Sequence, residues 1–76
     1  MNDYKYDPLT TLVELRTKKG YTREKLSKLS GISLDTIKAL ELGINNPNEA
    51  KLSTLLAICK ALKIKVKKLF PKETNL

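Results

Sequence analysis

The sequence contains no histidine and no tryptophan, and it has one cysteine. Without histidine, the chain has no side chain that titrates near neutral pH in its ordinary state, and it lacks the commonest metal ligand. A lone Cys59 cannot close an internal disulfide, and with no histidine in the chain a zinc or haem site is not expected. Cys59 therefore reads as a small hydrophobe on a core helix. Aromatic residues make up only 5% of the chain, so a core must be aliphatic. No apolar run approaches the roughly 20 residues of a membrane span. The opening stretch MNDYKYDP has no apolar segment of the kind a secretory signal needs. One thiol without a disulfide framework fits a reducing cytoplasm. Strand signals are also scarce: only KIKVKKL alternates, and no cluster of carboxylates suggests catalysis, so an enzyme is not expected.

What remains is a basic, helix-rich chain of 76 residues with net charge +7. That length suits one domain, and such a domain buries only about 60% of the surface its unfolded chain exposes. The charge points to an anionic partner, nucleic acid first. Its distribution weakens the inference. Residues 1–59 carry nine Lys/Arg and seven Asp/Glu, whereas residues 60–76 carry six lysines and one acid. Most of the excess lies in the tail, where lysines serve solubility.

Helix punctuation is dense. Asp7-Pro8 reads as a cap followed by proline at the first helical position. Leu9, Leu12, Val13 and Leu15 follow at helical spacing, and Gly20 closes the helix. Thr22 caps a second helix with Leu26 and Leu29 inward, ended by Gly31. Ser33 caps a third, with Ile37 and Leu40 inward and Gly43 at its end. After the turn cluster Asn45-Asn46-Pro47-Asn48, a fourth helix is expected from about Ala50 to Leu62. A fifth, short one covers Val66 to Phe70, stopped by Pro71. The expectation is an all-α, five-helix globule with its core over about residues 8–70 and flexible ends at 1–7 and 71–76. Only about three residues join the second and third helices, too few for an antiparallel return. They must cross steeply, as in a helix-turn-helix.

The segment REKLSKLSGISLDTIKALEL, residues 23 to 42, resembles the helix-turn-helix of the phage repressor/Cro-like (XRE) family. Ser27 stands where the helices touch and a small residue is needed. Gly31 stands where the turn needs positive φ. Leu26, Ile32, Ile37 and Leu40 occupy the apolar positions. The likeness continues outside the motif, from Leu12, Leu15, Arg16, Gly20 and Thr22 to Glu41, Gly43, Asn46 and Pro47. TLLAICKAL and KKLF resemble the last two helices of the family.

The resemblance implies a lambda-repressor-like domain that regulates transcription by binding double-stranded DNA, with its third helix in the major groove. By position, Ser33, Leu34, Asp35, Lys38 and Ala39 would face base edges. Arg23 would meet backbone phosphate, and Ile44, Asn45 and Asn46 would approach a second phosphate run. Arg16 and Glu41 match an internal ion pair. The family implies a homodimer reading two half-sites, with Val66, Leu69 and Phe70 near the dimer contact. Control would come from concentration, competition or a separate regulatory protein. That suits a phage, mobile-element, antitoxin or restriction-control setting.

Several positions depart from the pattern. Arg23 replaces the usual glutamine and adds charge. Leu34 and Ala39 suit thymine methyls, and Lys38 is the only cation of the third helix. Asp35 has two readings: acceptor from a cytosine amino group, or a helix-dipole partner worth about 0.3–1 kcal/mol. Lys25 and Lys28 read as a solvated face. Ile44 and Asn45 stand where basic residues are usual, which implies weaker nonspecific binding. About three extra residues before Leu55 suggest an added turn at the start of the fourth helix. Leu34, Asp35, Ala39 and Ile44 on the presumed DNA face also fit a second hypothesis, a helix-turn-helix module repurposed for protein–protein interaction. Tyr4, Lys5 and Tyr6 form an N-terminal arm, either disordered or reaching DNA or a dimer mate.

Overall fold

A computed structural model describes residue 6 and residues 8 to 70, with the Asn48 side chain left out. The expected Asp7 cap, the rest of the arm and the C-terminal segment from residue 71 lie outside the described residues. Within them the chain is all-helical and contains four α-helices, not five. These are α1 (Thr10–Lys18), α2 (Arg23–Ser30), α3 (Leu34–Leu42) and α4 (Leu52–Leu62). Two short 3-10 turns, Pro47–Glu49 and Val66–Lys68, complete the set. The expected fifth helix is the second of these turns. Lys67 and Lys68 near its positive end oppose the helix dipole, and Pro71 forbids extension.

Helix boundaries follow local chemistry. The Thr22 hydroxyl accepts from the Lys25 amide at 3.0 Å and opens α2. The Ser33 hydroxyl does the same for Thr36 at 3.2 Å and opens α3. Gly31 takes φ 75° and closes α2, with its amide donating to the Ser27 carbonyl at 2.9 Å. The Ser27 hydroxyl donates to the Ile32 carbonyl at 2.6 Å, so the small residue also staples the turn. Pro8 does not begin α1; Leu9 precedes its first residue and provides no side-chain cap. The extra residues after Pro47 add no turn to α4. They form the 3-10 turn, and α4 starts at Leu52 rather than Ala50.

The core gathers Leu9, Leu12, Leu26, Ile37, Leu40, Leu55, Ile58, Cys59, Leu62 and Leu69. Helix α2 packs on α3 and α4, α1 packs on α3, and the last 3-10 turn returns to α4. Leu29, expected inward, is 50% exposed. It lies about 60° around a two-turn helix from Leu26, which already anchors it. Leu52 and Leu56 are also exposed, on the flank of the buried stripe of α4. Leu69 is buried in its own core, so it is not free to contact a second copy.

The segment before α1 is tied to the end of α3. The Tyr6 amide donates to the Gly43 carbonyl at 3.0 Å, and the Leu9 amide to the Leu40 carbonyl at 3.1 Å. Gly43 has φ 81°, and a Cβ there would collide with the Tyr6 carbonyl oxygen.

Candidate nucleic-acid interface

The three-residue link Gly31–Ser33 turns α3 away from α2. Ile37, Leu40 and Glu41 then hold α3 to the body. The opposite side of its first turns is presented outward: Ser33, Leu34, Asp35 and Lys38 are all exposed. The Ser33 hydroxyl is engaged within the cap, donating to Thr36 Oγ1 at 2.8 Å. Asp35 sits in the first turn, where its charge complements the helix dipole. Ala39, expected to face base edges, is buried. Its side chain ends at Cβ, and the following loop folds back on it. The Ile44 and Asn45 amides reach the Ala39 carbonyl at 2.9 and 3.3 Å. In that loop Ile44 and Asn45 are exposed and Asn46 is half-buried.

Arg23 opens α2, as expected, but it is not simply a free surface cation. Its Nε donates to Glu41 Oε1 at 2.7 Å. Glu41 also takes Arg16, whose Nε donates to Oε2 at 2.7 Å and whose Nη2 donates to Oε1 at 3.1 Å. Arg16 Nη1 donates to the Tyr21 carbonyl at 2.8 Å. One carboxylate therefore joins α1, α2 and α3. The expected Arg16–Glu41 contact is present, and Arg23 joins it across 18 residues of sequence. No spacing rule signals that third arm; the only hint is arginine where the family often has glutamine. Lys25, read as solvated, places its Nζ 5.8 Å from the centroid of the Tyr21 ring.

A cleft of about 740 Å³ runs beside α3, between Thr36, the loop Ile44-Asn45-Asn46, and Lys51 and Thr54 at the start of α4. Tyr6 lies along it. Sequence reasoning missed Lys51 and Thr54 at this place, because the 3-10 turn before α4 was not foreseen, and Thr36 was not singled out on α3. Among the described residues, no group of His, Cys, Asp and Glu gathers to hold a metal ion. Nor, among those residues, is any helix long and apolar enough to cross a membrane.

The comparisons agree with this geometry. A helix-turn-helix family model matches residues 12–69. The uncharacterized HTH-type transcriptional regulator YgzD of Bacillus subtilis (strain 168) is 39% identical over 57 residues, spanning 75% of this chain and 82% of that protein. The crystal structure of the restriction-modification controller protein C.AhdI from Aeromonas hydrophila superposes with a TM-score of 0.74. It shares 35% identity, over 82% of this chain and 89% of that one. An outward α3, a glycine-turned link and matches through almost the whole helical body lead to one conclusion: the chain belongs to the XRE, Cro-like family of helix-turn-helix DNA-binding transcriptional regulators.

Proposed function

We propose that the protein binds operator DNA as a homodimer, each copy reading a half-site with α3 in the major groove. The observation that carries this reading is the division of α3. One side is locked by Ile37, Leu40 and Glu41, while Leu34, Asp35 and Lys38 point away from the body. Lys38 is the candidate for guanine or phosphate contact, and Leu34 for a thymine methyl. Arg23 and the loop Asn45-Asn46 flank α3 as phosphate contacts. Ser33 contributes chiefly by capping α3, and Ala39 drops out of the reading set. The exposed pair Leu52 and Leu56 supports self-association through α4 in place of Leu69. Likeness to a restriction-modification controller makes control of such a locus the first setting to test, whether alone or with a separate regulatory protein.

Fluorescence anisotropy with a labelled random-sequence duplex, at low and moderate salt, tests the reading. Binding at low salt that weakens as salt rises, and weakens further in the double variant Lys38→Ala with Arg23→Ala, is the expected result. No binding at low salt, or no effect of the double variant, sinks the DNA reading and favours a protein partner. Sedimentation of the free protein tests the dimer separately.

A further inference from the structure

The buried cluster of Arg16, Arg23 and Glu41 holds one charge more than its own neutrality requires. The Glu41 side chain is 0% exposed. Arg16, at 11% exposure, already meets both of its oxygens. One carboxylate and one guanidinium balance. Arg23 is the second cation on the same carboxylate, and its side chain is 32% exposed. It touches Glu41 through Nε alone. Among the described residues its Nη1 and Nη2 have no protein acceptor. A guanidinium is planar and rigid, so a fixed Nε also fixes the plane in which the other two nitrogens lie. Those nitrogens form the pair that suits two oxygens of a phosphate.

We propose that Glu41 is a positioning residue for DNA binding: it grips Arg23 by Nε and presents the Nη1/Nη2 edge, at the head of α2, to a backbone phosphate. This rests on the reading that Arg23 meets phosphate and adds how that contact is oriented. Because Glu41 belongs to α3 and is itself clamped by Arg16 of α1, the grip also sets the distance between the phosphate anchor and the helix that reads the groove. A lysine at position 23 carries the same charge but only one nitrogen. Seated on Glu41, it is withdrawn from the phosphate; released from Glu41, it has no fixed direction.

The test compares wild type, Arg23→Ala and Arg23→Lys by salt titration of a labelled random-sequence duplex, each with a urea unfolding curve. Arg23→Ala is expected to reduce the slope of log K against log salt by about 0.9, or about eightfold in affinity at 0.1 M salt. Arg23→Lys, despite its unchanged charge, is expected to lose at least half of that in logarithmic terms at an unchanged urea midpoint. If the lysine variant is less stable, the titration is run at a temperature where circular dichroism shows it folded, and the same criterion applies. A lysine variant that loses less than half overturns the positioning role while leaving the phosphate contact standing. An alanine variant that binds like wild type removes Arg23 from the interface, and that failure belongs to the underlying reading.

Discussion

Arg16 and Glu41 lie 25 residues apart in sequence and meet in a buried two-point ion pair, with Arg16 Nε to Glu41 Oε2 at 2.7 Å and Nη2 to Oε1 at 3.1 Å. Glu41 stands in the last turn of α3, where the helix dipole disfavours a negative charge, so it depends on its arginines. Arg16→Ala is expected to destabilise the fold by about 3 kcal/mol, because it leaves Glu41 Oε2 buried without a donor and only Arg23 on Oε1. For a chain of this size that is a large part of the total stability. Urea unfolding measures the loss, and a value under about 1 kcal/mol contradicts the assignment of this pair as a structural tie.

Gly43→Ala should cost more than Gly31→Ala. Both glycines have positive φ, which costs an L-residue about 1–2 kcal/mol. At Gly31 a Cβ meets nothing within 4 Å, so backbone strain is the whole cost. At Gly43 it would strike the Tyr6 carbonyl and approach the Pro8 nitrogen at 3.1 Å, which adds about 1–3 kcal/mol of overpacking. Denaturation of the two variants side by side gives the difference directly. Equal losses would mean that the Tyr6 strap yields without penalty.

Asp35→Asn separates the two roles of this acid. Its charge in the first turn of α3 favours the helix by about 0.3–1 kcal/mol, and the variant should lose that much stability. On random duplex DNA at low salt the same variant should bind about twofold more tightly, from relief of Coulomb repulsion at about 8 Å in water. Weaker binding to one selected sequence only, with unchanged random binding, would instead identify Asp35 as an acceptor from a cytosine amino group.

Cys59 gives the fold a pH dependence at its alkaline end. Burial against apolar side chains pushes its thiol above the usual 9.0. The unfolded thiol therefore ionises first as pH rises. Its contribution to stability is complete below about pH 9 and is lost as pH climbs toward the raised value in the folded state. Thermal melts from pH 7 to 10 should show a decline above pH 9 that is smaller in Cys59→Ala. The native thiol should also resist a thiol reagent at pH 8 and react once urea unfolds the chain. Rapid reaction without denaturant would show that the thiol is reachable in the native state.

Helix number and order near the motif were legible because capping and turning are short-range. Thr22, Ser33, Gly31 and Gly43 each act on amides or dihedrals within a few residues of themselves, and α2 and α3 start and stop where these residues direct. The outward face of α3 was legible in part for the same reason, since Asp35 falls about 160° around the helix from Ile37 and Lys38 about 160° from Leu40. Prediction failed where the outcome depends on what else comes near. Leu29, expected inward, has the same side chain as Leu26, yet it lies on the rim. Hydrophobicity drives burial but does not say which of two neighbouring leucines receives a covering partner. The 3-10 character of the last turn reflects a contest between lysine repulsion at a helix start and the anchoring of Leu69 in the core.

The sequence by itself determined the helix-turn-helix: a capped helix, one residue free to take positive φ, a second capped helix and an apolar stripe on each, all readable over spans of two or three turns. Tertiary structure alone decided that Arg23 would share the Glu41 carboxylate, that Ala39 would be covered, and that Tyr6 would strap the end of α3. Each of these joins groups more than a dozen residues apart or depends on a loop folding back. Such contacts form only after the helices have docked, and no local propensity encodes the distance between them.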